Sequence, residues 1–239
     1  MKFSICQINS SVGDLKYNYE KIVKFYNKSI SSGCDITIFP ELSITGYPPK
    51  DLLFEKKFID KNLMYAEKLS KLSTKPIIFG YVSRNRGKLY NSAAISFDGK
   101  LRFSYNKRLL PNYDVFDEER YFKPATKPLV YQWKDKRIGI TICEDIWTDE
   151  KIQTSKRYCH DPVELLSKEG LDLLINLSAS PWHTHKEDSR QDLIEQVSHR
   201  LNCPVVYCNS VGGNDELIFD GDSFITHPSK GIIAQMTKF

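Results

Sequence analysis

Three strand-like segments of this sequence each end at a residue that could take part in covalent chemistry. One apolar run is followed at once by Cys143, and two similar runs end at Glu41 and at Lys107. Ligands bind at strand ends in α/β proteins. A cysteine, a glutamate and a lysine placed in this way could form a nucleophile, a base and a cationic stabiliser.

The chemistry of a cysteine nucleophile sets what its neighbours must do. A thiol attacks as thiolate and has an ordinary pKa of about 8.5, so it needs a base or a cation nearby. Histidine is the usual base, but none of the five histidines has a setting as suggestive as that of Glu41. A carboxylate can replace histidine in a closed site that raises its pKa, and a lysine can stabilise an oxyanion. Taken singly, each residue also fits an ordinary role in packing, capping or solvation, so the residues alone leave both interpretations open.

Length and composition restrict the class of protein. The 239 residues suffice for one large domain or two small ones. The net charge is +4, from 34 basic and 30 acidic residues that interleave, unlike the one-sided basic surface of nucleic-acid binders. No apolar stretch approaches the ~20 residues of a membrane span, and the N-terminus has no secretory signal. We therefore expect neither a nucleic acid nor a membrane as partner.

The cysteines and histidines favour a reduced, metal-free protein. Six cysteines are scattered without a CxxC pair, which is typical of a cytoplasmic chain rather than a disulfide scaffold. His183 and His185 have the spacing of a metal pair, but no further acid or histidine completes a site. Cys159 and His160 form another pair, which we interpret as incidental. No metal site is predicted.

The pattern of strands and helices repeats along the chain. Strands are predicted at residues 2–8, 36–39, 76–82, 92–97, 101–105, 129–133, 137–142, 171–177, 204–209, 222–226 and 231–236. Helices are predicted at residues 15–30, 54–72, 162–168 and 186–201. Asp98-Gly99 predicts a hairpin, and Gly212-Gly213 is interpreted as a polar turn. Strand-helix-strand-helix-strand followed by a hairpin occurs twice, which predicts an α/β fold of two pseudo-symmetric halves with two packed sheets and outer helices.

The motifs around the three candidate residues resemble those of the nitrilase, or carbon-nitrogen hydrolase, superfamily. The motifs are Phe39-Pro40-Glu41-Leu42, the segment 105–111 around Lys107, and Cys143-Glu144-Asp145. The resemblance covers essentially the whole chain and implies a four-layer α-β-β-α sandwich. It implies that Glu41 is the general base, Lys107 the oxyanion stabiliser and Cys143 the nucleophile. It also implies a second glutamate that helps to position lysine and substrate, namely Glu118, with Glu119 as the less secure choice.

Three further segments, residues 46–53, 110–118 and 176–181, look like the glutaminase domain of glutamine-dependent NAD synthetase. This resemblance implies that the domain hydrolyses glutamine and passes ammonia to a synthetase domain, which amidates adenylated deamido-NAD. By the same resemblance, the glutamine-binding positions are Tyr113, Glu144, Ser180 and Lys186. The last stands where the family has an arginine for the substrate carboxylate, and a lysine offers a point charge without bidentate geometry.

The resemblance also implies partners and cofactors. Residues 1–239 are expected to form one glutamine amidohydrolase domain, since no segment resembles the synthetase half with its Ser-Gly-Gly pyrophosphate loop. The expected partners are glutamine, a NAD synthetase domain or subunit, and further copies of the chain in a homo-oligomer. The glutaminase reaction needs no cofactor, and ATP and Mg²⁺ are expected only on the synthetase part.

Two alternative functions stay open at this point. The chain could be a free-standing amidase or nitrilase that acts on a small amide or nitrile, although segments 46–53 and 176–181 count against this. It could instead be an inactive module that docks on a synthetase, although the intact Glu41, Lys107 and Cys143 count against that.

Overall fold

The strands and helices are taken from a computed structural model, which describes residues 1–147, 161–184 and 186–239 apart from the side chains of 186–188. The helices are α1 Leu15–Ser31, α2 Lys56–Leu72, α3 Pro162–Ser167 and α4 Lys186–Leu201. The strands are β1 Phe3–Ile5, β2 Ile36–Ile38, β3 Ile77–Asn85, β4 Lys88–Phe97, β5 Lys100–Asn106, β6 Leu129–Trp133, β7 Lys136–Ile142, β8 Leu173–Ser178, β9 Val205–Asn209, β10 Val211–Asn214, β11 Leu217–Asp220, β12 Phe224–His227 and β13 Gly231–Gln235.

Two sheets of related topology confirm the predicted repeat. The first has the order β1-β2-β3-β4-β5, and the second has the order β13-β12-β9-β8-β7-β6. In the first sheet β1, β2 and β3 are parallel, and β4 and β5 follow as antiparallel neighbours. In the second sheet β7, β8 and β9 are parallel, and β12 and β13 follow as antiparallel neighbours. Strand β6 extends the second sheet at its far edge.

The burial pattern confirms the four-layer α-β-β-α sandwich. Side chains from both sheets form one core between them, including Ile38 and Ile95 from the first sheet and Ile140 and Ile175 from the second. Helices α1 and α2 cover the outer face of the first sheet, and α3 and α4 cover that of the second. Each fully buried isoleucine contributes roughly 1.5–3 kcal/mol of hydrophobic free energy, so both faces of the parallel strands stabilise the fold.

The local signals are confirmed at some positions and wrong at others. Asp98 and Gly99 have φ values of 51° and 70°, as a tight turn with two left-handed residues requires. The predicted helix 54–72 is confirmed from Lys56 onward, because a 3₁₀ turn over Lys50–Phe54 precedes α2 and Glu55 between them is extended. No helix in the part of the chain that the structure describes is long and apolar enough to cross a membrane.

The interpretation of Gly212-Gly213 as a polar turn is wrong. These glycines lie in β10, which pairs with β11 to form a two-stranded antiparallel ribbon outside the two sheets. Gly212 has φ +111°, and a Cβ there would lie 2.3 Å from Cγ of Asn9. Leu217 and Phe219 of β11 are buried, so the ribbon is held by tertiary packing that a polar local sequence does not reveal.

Candidate active site

The three predicted strand ends meet at one edge of the sandwich. Glu41 lies three residues beyond β2, and Lys107 directly follows β5. Cys143 directly follows β7 and begins a 3₁₀ turn over Cys143–Ile146. Strands β2 and β5 belong to one sheet and β7 to the other, so the site lies between the ends of the two sheets.

The segment that carries Glu41 crosses β3 at Gly80. A Cβ on Gly80 would lie 2.0 Å from the backbone nitrogen of Leu42, closer than any real contact. A glycine inside a strand commonly marks such an approach of two backbones. The Gly80 N–H donates to the carbonyl of Pro40 at 3.1 Å, and the Ile44 N–H donates to the carbonyl of Gly80 at 3.2 Å. Gly80 therefore sets the position from which the Glu41 side chain enters the site.

Lys107 is buried between two carboxylates. Its Nζ donates to Oε1 of Glu41 at 2.7 Å and to Oε1 of Glu118 at 2.8 Å. Burial lowers the pKa of Lys107, but the charges of Glu118 and Glu41 outweigh it and hold the pKa well above its usual value. The ammonium therefore stays charged although only 1% of the residue is exposed.

The structure distinguishes the two adjacent candidates for the second glutamate. Glu118 is buried, and its Oε1 accepts hydrogen bonds from Lys107 and from the Tyr47 hydroxyl at 2.9 Å. Glu119 is exposed and accepts from the side-chain amide of Asn112 at 3.3 Å. Burial raises the pKa of Glu118, Lys107 opposes this, and the net result is a pKa of about 7. The structure thus places Glu118 at the lysine.

Cys143 occupies a backbone conformation that is rare outside glycine. Its φ is +42°, and such left-handed residues are retained mainly at functional sites. Burial raises the pKa of the thiol far above its ordinary value, the negative charge of Glu41 adds to the effect, and Lys107 opposes it. At rest Cys143 is therefore a neutral thiol, and its proton must be removed as it attacks.

Asp145 and Asn91 belong to the site although the sequence analysis assigned them no role. Asp145 accepts four hydrogen bonds of 2.7–2.9 Å, with the Tyr105 hydroxyl and three backbone N–H groups as donors. Those N–H groups belong to residues 108, 109 and 142, so Asp145 connects the loop after Lys107 to the strand before Cys143. A buried acid two residues after the cysteine was the local signal. Asn91, whose amide donates to both glutamates, gave no such signal, because it precedes the predicted strand 92–97 and only the structure places it inside β4.

Three of the predicted glutamine-binding residues lie in the segments that follow β5, β7 and β8. The Tyr113 hydroxyl donates to both carboxylate oxygens of Glu144, at 2.8 and 3.0 Å, and Glu144 adjoins Cys143. The Ser180 N–H donates to Oδ1 of Asn209 at 2.9 Å, in the loop that follows β8. Its neighbour Ala179 donates an N–H to Oε2 of Glu41 at 2.9 Å.

The remaining predictions fall partly outside the described residues. Lys186 is the first residue of α4, but its side chain lies outside them, so its predicted role stays a prediction. His185, Cys159 and His160 also lie outside them. Within the part of the chain that is described, no three His, Cys, Asp or Glu side chains are arranged to hold a metal.

The ribbon of β10 and β11 forms one wall of a pocket beside Glu41. A narrow pocket that reaches Glu41 is lined by Tyr47 of the first half, by Ser210 before the ribbon and by Phe219 within it. The buried charges and the neutral thiol form a site in which a nucleophilic thiol, a carboxylate base and an ammonium can act together on a polar substrate.

Sequence relatives match almost the whole length of the chain. The model of the carbon-nitrogen hydrolase family matches residues 2–239. A glutamine-dependent NAD(+) synthetase of Synechocystis sp. is 39% identical over 248 residues, which cover 99% of this chain and 44% of that protein. The corresponding protein of Thermotoga maritima is 36% identical over 236 residues, which cover 98% of this chain and 39% of that protein. The chain thus spans less than half the length of these relatives.

Solved structures support the same assignment. A glutamine-dependent NAD+ synthetase from Acinetobacter baumannii superposes with a TM-score of 0.92 at 34% identity, over all of this chain and 43% of that one. An amidase of the nitrilase superfamily from Nesterenkonia superposes with a TM-score of 0.84 over 99% of this chain and 86% of that one, and at 18% identity it shows the fold alone. The resemblance inferred from the motifs is confirmed, and the chain belongs to the carbon-nitrogen hydrolase family.

Proposed function

We propose that residues 1–239 form a glutamine amidohydrolase domain that releases ammonia for glutamine-dependent NAD synthesis. The observation that carries the proposal is the buried Glu41–Lys107–Glu118 cluster, whose charges act on the Cys143 thiol. The relatives named above are glutamine-dependent NAD synthetases, which supports glutamine as the amide substrate.

In the first half of the proposed reaction Cys143 becomes acylated. Glu41 accepts the thiol proton as Sγ bonds to the carboxamide carbon, and the electron pair of the C=O bond moves to oxygen. An ammonium has three donors, and Glu41 and Glu118 accept two from Lys107, which leaves the third for the oxyanion. As the tetrahedral intermediate collapses, the C–N bond breaks, protonated Glu41 returns the proton to nitrogen, and ammonia leaves a thioester on Cys143.

In the second half water releases glutamate. Glu41, again ionised, accepts a proton from water as the water oxygen bonds to the thioester carbon. The C–S bond then breaks, and the sulfur regains a proton from Glu41. Every step uses side chains of this domain, so the proposed reaction needs no cofactor. Only the later amidation, on a synthetase domain or subunit, would use ATP and Mg²⁺.

In this proposal four residues bind the glutamine substrate, namely Tyr113, Glu144, Ser180 and Lys186. Tyr113 and Glu144 form a hydrogen-bonded pair beside Cys143, and a carboxylate there can accept hydrogen bonds from an amide or ammonium group of the substrate. Ser180 lies in a loop whose neighbouring residue donates to Glu41. Lys186 supplies the positive charge for the substrate α-carboxylate.

The direct test is glutamine hydrolysis by the purified chain, with ammonia and glutamate measured separately. Wild type should release both in equal amounts, and Cys143→Ala should release neither while keeping the wild-type melting temperature. The matched control is Cys203→Ala, another buried cysteine, which should remain active. A glutamine-derived diazo-oxo-norleucine should add once, at Cys143. Labelling at another cysteine, or activity in Cys143→Ala, would refute the assignment of the nucleophile.

The carboxylate assignment has its own test. Lys186→Ala should raise the KM for glutamine and leave propionamide hydrolysis unchanged, because propionamide has no carboxylate. Lys186→Arg should keep or lower the KM, because the guanidinium binds carboxylates with two parallel hydrogen bonds. If Lys186→Ala leaves the kinetics on glutamine unchanged, the substrate carboxylate binds elsewhere and a simple amidase becomes the better description.

A further inference from the structure

Asn91 lies behind the catalytic cluster and joins its two glutamates. Its Nδ2 donates to Oε1 of Glu41 at 2.7 Å and to Oε2 of Glu118 at 3.3 Å. The residue is in β4, 1% exposed, and its backbone carbonyl accepts from the N–H of Lys107 at 2.8 Å. A single strand residue thus contacts all three members of the cluster.

The orientation of the Asn91 amide is set by these acceptors. A flipped amide would direct its oxygen at two carboxylates, so the hydrogen-bond network requires the nitrogen on that side. The oxygen, Oδ1, is buried and has no hydrogen-bond partner among the described residues. Leaving a buried acceptor unpaired costs on the order of 1–3 kcal/mol. If this position served stability alone, an apolar residue would avoid this cost. Buried polar groups without a partner call for an explanation, and a functional site is one.

Resting on the function proposed above, we propose that Asn91 is a positioning residue for the hydrolysis. It holds the Glu41 carboxylate in place to accept the Cys143 proton and keeps Glu118 on the far side of Lys107. An amide can do this where a second cation could not, since it supplies two N–H donors without adding charge.

The charges around Asn91 define what its loss should do. The groups that face it or its partners are Glu41 after β2, Lys107 after β5, Glu118, the Tyr47 hydroxyl and the Cys143 thiol. Hydrogen-bond donors favour the ionised form of a carboxylate. Removing the amide takes a hydrogen-bond donor from both carboxylates, so the acid limb of the rate profile should move to higher pH.

The test compares two buried asparagines. Asn91→Leu removes the donors at similar volume. The matched control is Asn62→Leu, because Asn62 is equally buried but its side-chain amide bonds the backbone of Val82 and neither glutamate among the described residues. Val82 lies opposite Asn91 on the neighbouring strand, so both variants alter the same region of the protein. Melting temperature, kcat and KM for glutamine across pH, and the rate of Cys143 alkylation by iodoacetamide are measured for both variants and for wild type.

Asn91→Leu should lower kcat by about 10- to 100-fold, part of the ~10²–10⁴ that a positioned general base supplies. It should change KM much less, and it should move the acid limb of kcat/KM to higher pH. Asn62→Leu should change the melting temperature without moving that limb. Alkylation of Cys143 at neutral pH should be slower in Asn91→Leu than in both other proteins.

The outcomes separate the two proposals. If wild type does not hydrolyse glutamine but Asn91→Leu still slows alkylation, the substrate is wrong and the role of Asn91 stands. If wild type hydrolyses glutamine and folded Asn91→Leu keeps its kcat and acid limb, or matches Asn62→Leu, the role of Asn91 is wrong. Should Asn91→Leu not fold, Asn91→Ala has the same expected result, and failure of both to fold would overturn the proposal in favour of a structural role.

Discussion

Each half of the molecule buries a cluster of one cation and two carboxylates. In the first half Lys107 lies between Glu41 and Glu118. In the second half Arg190 of α4 is bonded to two aspartates at 2.6–3.1 Å, namely Asp220 at the end of β11 and Asp222 beyond it. Both clusters are almost completely shielded from solvent, so they require a similar desolvation of charge.

The partners of the two cations differ in geometry. Arg190 binds Asp220 with two parallel hydrogen bonds, the rigid arrangement that suits a guanidinium. Gln235 donates to Asp222 at 2.6 Å, and Asn209 donates to Asp220 at 3.4 Å. In this cluster the guanidinium and the two amides thus donate to the aspartates in a fixed arrangement. The described residues that contact it include no nucleophile. Since Asn209 also bonds Ser180, it supports the loop beside the catalytic thiol.

The catalytic cluster uses the same charges differently. Lysine carries a compact charge with rotatable donors. The positive charge of Lys107 lies close enough to Cys143 to lower the pKa of its thiol, against the larger effect of burial. A lysine can turn a donor toward a developing oxyanion without breaking a bidentate pair. Burial and charge number are therefore alike in the two clusters. They differ in the shape of the cation and in the presence of a nucleophile beside it.

The largest expected effect is on stability, in the second cluster. Arg190→Met should lower the free energy of unfolding by roughly 3–5 kcal/mol, because it leaves two buried aspartates without their cation. Urea unfolding followed by circular dichroism measures this. Arg84→Met is the control, since Arg84 pairs with Asp60 at a partly exposed position where an ion pair contributes about 0–1 kcal/mol. Equal losses of unfolding free energy in Arg190→Met and Arg84→Met would mean that the buried cluster contributes no more to stability than an exposed ion pair.

The corresponding change in the first cluster should act on catalysis. Lys107→Met removes the proposed oxyanion donor, which should lower kcat for glutamine hydrolysis by about 10²–10³. Steady-state kinetics on folded protein gives the value, and Lys136→Met, at an exposed ion pair, should leave kcat unchanged. A Lys107→Met protein with near wild-type kcat would show that this cluster, too, is only structural.

A smaller effect is expected at Asp145, a buried acid whose four hydrogen-bond donors are all uncharged. Asp145→Asn keeps the shape but presents N–H groups to two of those donors, which should cost about 1–3 kcal/mol of stability. Because these bonds connect the loop after Lys107 to β7, kcat should fall as well. Loss of stability with full activity would mean that Asp145 supports the fold without positioning the site.

The last prediction concerns the pH dependence of stability. The pKa of Glu118 is raised from its ordinary 4.5 to about 7 in the folded protein, so the folded state binds more protons than the unfolded state between these values. Stability must then fall as pH rises from about 4.5 to about 7. Glu118→Gln should lack this fall, and melting temperatures at pH 5 and pH 7.5 measure it. Parallel curves for wild type and variant would contradict the raised pKa.

Local patterns in the sequence were sufficient for most of the architecture. The alternation of strands and helices, the repeat and the three strand ends depend on residues that are near one another in the chain, so periodicity and turn residues report them directly. The hairpin at Asp98-Gly99 is an example. The ribbon of β10 and β11 was missed, because Gly212 packs on Asn9, about two hundred residues away in the chain.

The fold class, the family and the candidates Glu41, Lys107 and Cys143 could all be inferred before the structure was known. The contact of Glu118 rather than Glu119 with the lysine, and the bonds from Asn91 to both glutamates, could not. The reason is the separation of the partners along the chain. The hydrogen bond from Lys107 to Glu41 spans 66 residues, and that from Ala179 to Glu41 spans 138. The first contact depends on the strand order within one sheet and the second on how the two sheets pack, and no local pattern specifies either.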